Sequence, residues 1–518
     1  MSTMKGVISA GDKLTAEAGA EILKAGGNAF DAAISATFMS FAASSSITSA
    51  GGGGFFLAHQ SARSNVLYDF FVQTPIAKRK ESELDFYPVT VDFGDKTQEF
   101  HVGWGSVATP GNVAGLFKVH QELGSMPMTE IMAPAIDQIK KGITLHRQTK
   151  YQIDILTPIL TASKDGKKIY QKDHNPLEIG DVYFLPRMVD TFDYLARTGP
   201  REFYEGEIAH QIAKACEENS GNLSYDDFKD YQVIKRKPLL TQYRNAYVYT
   251  NPPPNSGGPL IAFLLKLIEP VTFKREDYGK LRHLQALTDG MRLTSDARDL
   301  RFEKHIYLQE VLDHLFEPAF LKSLQQTLKS SLHKSGNTTH ISVIDQKGNI
   351  ASCTTSVGEG CGHYIPDTDI MLNNMLGEED LNKKGFHCWI QNQRMSSMMS
   401  PSLVINKNGS KMGLGSGGSN RIRSAISQTI MHYIDFGLSP DEIVNNSRIH
   451  MENDHLDIEP GYRHEEIEKI MLPENVHKFY WTEQNMYFGG VHAVFMDEKS
   501  NIDGAGDRRR VGHVTKVF

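Results

Sequence analysis

The chain of 518 residues carries a formal net charge of −7, and 23% of its residues are charged, which is ordinary for a folded protein. Lysine and arginine total 55 against 62 acidic residues, so the chain lacks the basic excess of a nucleic-acid-binding protein. No stretch approaches about 18 consecutive apolar residues, which argues against a membrane-spanning helix and a membrane partner.

The N-terminal segment and the cysteines bear on the cellular compartment. Residues 1–13 contain no apolar core of the kind that a signal peptide needs. The four cysteines lack CxxC spacing and are too few for a disulfide framework, as is usual in a reducing compartment. We therefore expect a cytoplasmic protein.

The first two thirds of the chain contain two clear helices and two glycine-rich segments. Apolar spacing predicts a helix over 15–25 that ends at Gly26, and a second, mostly buried helix over 29–43. Four glycines at 51–54 precede an apolar strand and indicate either a close turn in the core or a site. The sequence NPPPNSGG at 251–258 predicts a rigid loop rather than a linker.

The C-terminal third is rich in predicted strands. Period-two alternation separated by turn residues predicts hairpins with strands over 340–345 and 350–357, over 402–406 and 411–414, and from 491–496 onward. One helix is predicted over 421–436. Strands and helices in separate runs favour a layered fold of the α/β or α+β class.

The glycines at 413–418 fit the pattern G-x-G-x-x-G. A dinucleotide site needs an acidic residue at the end of a second parallel strand. Here Asp435 lies on the helix that the glycines open, and the preceding strand belongs to an antiparallel hairpin. The motif therefore favours an anion site or an oxyanion hole at a helix N-terminus, with a nucleotide-binding protein as the alternative from another functional class.

A threonine pair at the start of a predicted strand offers a nucleophile. An internal threonine hydroxyl has no base beside it, but cleavage before Thr338 would give that residue a free α-amino group. The reference pKa of such a group is about 7.7–8.0, which suits a general base acting on the residue's own hydroxyl. Thr338 would then supply both nucleophile and base.

Other patterns are less specific. The 20 histidines show no HExxH or similar pairing, so no metal is predicted. Asn373-Asn374 with the acidic run at 378–380 predicts either a polar pocket or an acidic loop. Ser396-Ser397 predicts either hydroxyl donors or a turn cap. The sequence DRRR at 507–510 predicts a structural ion pair.

These motifs together resemble those of the γ-glutamyltransferase family, whose members are also called γ-glutamyl transpeptidases or glutathione hydrolases. The similarity runs through nearly the whole chain and is carried by residues 17–33, 51–54, 108–115, 252–258, 338–340, 373–374, 396–398, 415–419 and 507–509. The resemblance implies an α+β fold, the four-layer αββα sandwich of N-terminal-nucleophile hydrolases, without a cofactor or metal.

The resemblance also implies a precursor that cuts itself between Asn337 and Thr338. The products would be a large subunit, 1–337, and a small subunit, 338–518, which remain one structural unit. Thr338 would attack the amide of a small γ-glutamyl substrate such as glutathione, form an acyl-enzyme, and pass the acyl group to water or an amine.

Several further roles follow from the family's motifs. Gly417 and Gly418 match the oxyanion-hole glycines. Ser396 and Ser397 match the serines that hold the substrate's α-carboxylate. Ser356 falls where the family has the threonine that supports the nucleophile's amine.

Departures from the family pattern concern the clamp for a free α-amino acid. Phe71 stands where the family has a carboxylate-binding arginine, and it cannot form a bidentate ion pair. The family's α-amino ligands correspond to Gly358, Met375 and Glu378, so only the last of these keeps a charge.

The sequence therefore suggests replacements and an alternative substrate. Arg394, Arg421 or Arg423 would replace the lost arginine, and Asn374 would join Glu378 in substrate binding. Otherwise the protein would be an amidase or acylase that acts on another small acidic amide. A further alternative is a catalytically silent family member that never cleaves its own chain. The segment between Asn374 and Ser396 is short, and an open pocket admits water, so we expect hydrolysis to exceed transfer.

Overall fold

The computed structural model describes residues 4–61, 63–92, 97–327, 338–452 and 454–518. Its strands are β1 Gly6–Ala10, β2 Gly53–His59, β3 Val66–Phe70, β4 Tyr87–Asp92, β5 Thr97–Val102, β6 Ile143–Thr144, β7 Gln171–Lys172, β8 Asn175–Pro176, β9 Val182–Tyr183, β10 Ile234–Arg236, β11 Leu239–Tyr243, β12 Ala246–Thr250, β13 Thr339–Asp345, β14 Ile350–Ser356, β15 Ser402–Asn406, β16 Lys411–Gly417, β17 Ile449–Glu452, β18 His455–Ile458, β19 His477–Tyr480, β20 Gly490–Met496, β21 Ile502–Gly506 and β22 His513–Val517. Its α-helices are α1 Lys13–Ala25, α2 Ala29–Ala43, α3 Asn112–Leu123, α4 Met128–Lys141, α5 Arg147–Leu160, α6 Lys164–Tyr170, α7 Pro186–Thr198, α8 Arg201–Tyr204, α9 Glu207–Glu218, α10 Tyr225–Lys229, α11 Gly257–Ile268, α12 Leu281–Ala297, α13 Val311–Leu315, α14 Pro318–Thr327, α15 Arg421–Ile434, α16 Pro440–Asn445 and α17 His464–Glu468.

The two N-terminal helices form as the sequence predicts, and their ends are defined by capping residues. Asp12 accepts a hydrogen bond from the Thr15 amide and begins α1, and Gly26 ends it with a φ of 100°, a conformation that glycine adopts readily. Asn28 caps α2 together with Asp31. Every residue of α2 is buried, which confirms the prediction from its Ala-rich and Phe-rich composition.

Two antiparallel sheets form the centre of the molecule. The first has the strand order β10-β3-β2-β14-β13-β1-β22, and the second has the order β11-β12-β15-β16-β20-β21. The faces of β13 and β14 pack against β16 and β20. Helices α1 and α2 cover the first sheet, and α11 and α15 cover the second. The three predicted hairpins and the mixed helix-and-sheet class are confirmed.

Glycines allow close approach both within a sheet and between the two sheets. A Cβ atom on Gly52 would lie 2.1 Å from the Ser356 carbonyl oxygen, and one on Gly415 would lie 2.3 Å from the ring of His340. Gly415 belongs to β16, which pairs antiparallel with strands on both sides. The G-x-G-x-x-G segment is therefore mostly a central antiparallel strand, and it lacks the parallel strand that a dinucleotide fingerprint requires.

None of the helices among the described residues combines the length and the apolar character needed to cross a membrane.

A buried ionic network near the C-terminus confirms the predicted ion pair. The Arg509 Nε donates to Glu459 at 2.7 Å, and its Nη1 lies 3.1 Å from Asp507. Arg448 approaches Asp507 to 2.8 Å. Burial alone would raise the pKa of Asp507, but the guanidinium groups of Arg448 and Arg509 hold that pKa well below its usual range.

We predict that Arg509→Gln destabilises the protein by about 3–5 kcal/mol, because it leaves the buried carboxylate of Glu459 without its guanidinium partner and Asp507 with Arg448 alone. The matched control is Arg508→Gln, whose side chain is 68% exposed and pairs with Asp441 at the surface. That change should cost no more than about 1 kcal/mol. Urea unfolding of both variants checks the prediction, and equal losses would contradict it.

Candidate active site

Thr338 lies immediately before β13, at the end of the strand that faces the second sheet. The register that pairs Thr339 with Thr355 brings Thr338 opposite Ser356 at the same strand end. Thr338 is 4% exposed. Asn337, the residue before the predicted cut, lies outside the described residues.

Thr338 lines a cavity of about 520 Å³, a volume that includes the solvent at its mouth. Other hydroxyl groups along the wall belong to Ser256, Ser356, Ser396, Ser397 and Ser419. Four charged residues also line it: Arg298, Glu303, Glu378 and Asp380. The apolar wall is formed by Phe71, Met375, Leu381, Met398, Met399 and Ile422. The predicted nucleophile and most of the predicted ligands therefore meet at one cavity.

The Thr338 carbonyl group is held between two elements of the C-terminal third. A Cβ atom on Gly417 would lie 1.8 Å from this carbonyl oxygen, so only glycine fits there. Arg510 Nη1 donates a hydrogen bond to the same oxygen at 3.1 Å. Gly418 has a φ of 116°, which turns the chain from β16 toward α15. The predicted oxyanion glycines thus lie directly beside Thr338.

The two predicted carboxylate-binding serines are positioned by the proline-rich loop. The Ser256 Oγ lies 3.0 Å from the Ser396 Oγ, and the Ser256 amide donates to the Ser397 carbonyl at 2.9 Å. Asn255 Nδ2 donates to the Met399 carbonyl at 2.8 Å. These bonds agree with the predicted rigid loop, whose last two glycines begin α11.

Glu378 is the predicted ligand whose environment is most unusual. Its Oε1 is buried and has no hydrogen-bond partner among the described residues. Burial, together with the nearby carboxylates of Glu359 and Asp380, raises the pKa of Glu378 well above its ordinary value. A Cβ atom on Gly358 would lie 2.3 Å from this oxygen, so glycine at 358 makes room for it.

Arg394 does not line the cavity, contrary to its predicted role in substrate binding. Its guanidinium group is buried and donates to the Phe71 carbonyl, to the Tyr231 hydroxyl at 2.6 Å and to the Gln232 carbonyl at 2.6 Å. It also lies 3.5 Å from Asp69. These partners direct the charge into the core behind Phe71.

The two alternative arginines also have other partners. Arg421 donates to the Tyr487 carbonyl at 3.0 Å, and Arg423 lies 2.8 Å from Glu452.

Asn374 is also absent from the cavity wall. Its side-chain oxygen accepts a hydrogen bond from the Glu359 amide at 3.0 Å and so supports the backbone at Glu359. None of these three predicted ligands, Arg421, Arg423 and Asn374, is among the residues that line the cavity.

Sequence reasoning missed Arg298, Glu303 and Ser419 as part of the site. Arg298 begins a π-helical turn, Arg298–Phe302, that follows α12. It lies 40 residues before Thr338 and belongs to none of the motifs that carry the family resemblance. No sequence signal points to Arg298 or Glu303, which only the tertiary packing brings to the site, whereas Ser419 ends the family motif at 415–419.

Among the described residues, no group of three His, Cys, Asp or Glu side chains is arranged to hold a metal ion.

Comparison with protein families gives a match over most of the chain. The model of the family described as gamma-glutamyltranspeptidase matches residues 15–517. A glutathione hydrolase proenzyme of Escherichia coli (strain K12) is 26% identical, and the alignment covers 99% of this chain and 92% of that protein. The capsule biosynthesis protein CapD proenzyme of Bacillus anthracis is 29% identical, with 98% and 89% covered.

Solved structures give a consistent picture of the fold. The cephalosporin acylase from Bacillus halodurans superposes with a TM-score of 0.82 at 20% identity, covering 99% of this chain and 96% of that chain. The gamma-glutamyltranspeptidase of Helicobacter pylori gives 0.55 at 24% identity, with 62% and 91% covered. At these identities the likeness shows a shared fold.

The raised pKa of Glu378 makes stability depend on pH in a defined direction. A carboxyl whose pKa is higher in the folded chain stabilises the fold below its unfolded pKa, and this contribution is lost as the pH rises through the folded pKa. Glu378→Gln removes that titration. Its free energy of unfolding should exceed that of the wild type increasingly from about pH 5 upward, by at most about 1.4 kcal/mol per pH unit.

Urea unfolding at a series of pH values measures this difference. The exposed neighbour Glu379 provides the matched control, and Glu379→Gln should follow the wild-type curve. A difference between Glu378→Gln and the wild type that stays constant with pH would show that Glu378 does not titrate as described.

Proposed function

This chain belongs to the gamma-glutamyltranspeptidase family, and on that premise we propose that it is a self-processing threonine amidohydrolase. It cleaves γ-glutamyl amides such as glutathione through an acyl-enzyme, with water as the preferred acceptor. We also assign its two packed sheets and their covering helices to the αββα sandwich of N-terminal-nucleophile hydrolases.

The observation that carries the proposal is the position of Thr338. Thr338 lines the cavity together with Ser356, and Gly417 lies against the Thr338 carbonyl group. A free amino group at Thr338, of a type whose reference pKa is about 7.7–8.0, would accept the proton of the threonine hydroxyl. The hydroxyls around it can orient that amine and the substrate.

Processing creates this amino group. In the proposed reaction the Thr338 Oγ1 attacks the carbonyl carbon of residue 337, and the peptide nitrogen is released as the α-amine while an ester forms. Water then hydrolyses the ester, which frees the hydroxyl and leaves a carboxylate on Asn337. The fragments comprise residues 1–337 and 338–518.

Catalysis repeats the same chemistry on a substrate amide. The α-amine takes the hydroxyl proton while Oγ1 attacks the acyl carbon, and that proton passes to the departing amine. The amides of Gly417 and Gly418 stabilise the negative charge on the tetrahedral oxygen. Water, activated by the same amine, hydrolyses the ester. Ser396 and Ser397 hold the acyl group's carboxylate.

Phe71 favours a second candidate, an amidase for another small acidic amide. The ring lies in the cavity wall and stacks on Phe55, with centroids 5.5 Å apart. Together with Met375 and Met398 it makes one side of the cavity apolar. Such a wall suits an acidic acyl group that is more apolar than glutamyl.

Processing provides the first test. Wild-type protein should separate on a denaturing gel into fragments of 337 and 181 residues, whereas Thr338→Ala should remain a single chain of 57.9 kDa because it lacks the nucleophile. Thr338→Ser keeps a hydroxyl and serves as the matched control, with slower processing expected. A wild-type chain that stays intact after prolonged incubation would falsify the proposed mechanism.

The acyl acceptor provides the second test. Processed enzyme should release chromophore from γ-glutamyl p-nitroanilide, and an added dipeptide acceptor should leave that rate nearly unchanged, since water already resolves the acyl-enzyme. The comparison substrate is an acetyl anilide, which should react far more slowly. A strong increase in rate with the dipeptide would instead identify a transferase, and faster turnover of other acidic acyl anilides would favour the second candidate.

A further inference from the structure

We propose that Arg298 binds the carboxylate of the acyl group and so replaces the arginine that Phe71 has displaced. This inference rests on the proposed function, and it assigns to the site a specificity-determining residue from a different part of the chain. Among the described residues that line the cavity, Arg298 is the one cation.

The guanidinium group of Arg298 is anchored along only part of its edge. The side chain is 4% exposed. Its Nε donates to Glu303 at 2.6 Å, and its Nη1 donates to Asn420 Oδ1 at 3.4 Å. The remaining N–H groups have no acceptor among the described residues. Because a buried guanidinium group normally satisfies its donors, the free edge fits a planar acceptor such as a carboxylate.

The backbone around Arg298 is tied to the loop that carries the serine pair. Phe302, which ends the π-helical turn, is completely buried and fixes that turn in the core. Five residues later, the Tyr307 hydroxyl donates to the Arg394 carbonyl at 3.1 Å. Arg394 lies two residues before Ser396. The cation and the predicted carboxylate-binding hydroxyls are therefore held on mutually anchored segments.

The other charges in the cavity restrict the kind of acyl group that Arg298 would accept. Asp380 accepts hydrogen bonds from the Ser419 hydroxyl at 2.8 Å and from Asn420 Nδ2 at 3.3 Å. Asp380 and Arg298 therefore both hydrogen-bond to the side chain of Asn420. Glu378 adds a buried carboxyl whose Oε1 has no hydrogen-bond partner among the described residues. A ligand with only a carboxylate meets this acidic surface unfavourably. An acyl group with both an ammonium and a carboxylate satisfies Glu378 and Arg298 together.

The test compares acyl groups that differ by one charged substituent. The substrates are the p-nitroanilides of γ-glutamate, of 4-aminobutyrate, which lacks the carboxylate, and of glutarate, which lacks the amine. Arg298→Gln should lower kcat/KM for the γ-glutamyl compound roughly 100-fold, chiefly through KM, because a buried charge pair with the substrate is lost. The rate with the 4-aminobutyryl compound should change by less than about threefold, since it never made that contact.

Two further variants separate recognition from folding. Arg301→Gln is the matched control, because Arg301 lies on the same turn but pairs with Glu317 and does not line the cavity. It should leave all three substrates unaffected. Arg298→Lys keeps a positive charge beside Glu303 and serves as the test if Arg298→Gln does not fold. It should reduce the preference for the γ-glutamyl over the 4-aminobutyryl substrate about tenfold, because lysine lacks the planar fork of donors.

Calorimetric titration with L-glutamate and with 4-aminobutyrate gives a second readout that does not depend on turnover. Selective loss of L-glutamate binding in Arg298→Gln supports the inference. A wild type that cleaves no anilide would overturn the proposed function, but it would not affect this binding result. Equal loss of both ligands, or no change in either variant of Arg298, would overturn the inference and leave the proposed function standing.

Discussion

The close contact between the Thr338 carbonyl and Gly417 is the constraint on which the site depends. It joins the start of a strand in one sheet to the end of a strand in the other, at a separation that excludes any side chain. Arg510 bonds to the same carbonyl oxygen. Two contacts therefore fix the backbone of Thr338 beside the glycine turn. Preorganisation of this kind lets a site stabilise developing charge without reorganising during the reaction.

The charges in the cavity add a second constraint, which acts on the ligand rather than on the nucleophile. One guanidinium group and three carboxyl groups share a partly dehydrated space, where electrostatic interactions are stronger than in water. Burial and the neighbouring carboxylates of Glu359 and Asp380 raise the pKa of Glu378. An ammonium group beside Glu378 would favour its ionised form, so binding and protonation are linked.

The sequence predicted local structure well because the determining signals are local. Capping residues and apolar spacing define α1 and α2, and alternation with turn residues defines the three hairpins. The family motifs pointed to Thr338, Ser396 and Glu378, and these residues line one cavity in the structure. The position of Arg394 beside the serine pair in sequence could not reveal that its side chain points away from them, toward Asp69 and Tyr231. Arg298 was missed for the opposite reason, because only tertiary packing brings it near residues that follow it by 40 to 122 positions, from Thr338 to Asn420.

The order of strands in the central sheets has a consequence for the protein after the proposed cut. Strands β13 and β14 would belong to the second fragment, yet they lie between β2 and β1 of the first, and β22 then pairs with β1 on its other side. In the other sheet β12 of the first fragment pairs with β15 of the second. The two polypeptides would be interleaved rather than docked. Dilution would not separate them, because dissociation would require breaking the middle of a sheet, and loss of association would be the same event as unfolding.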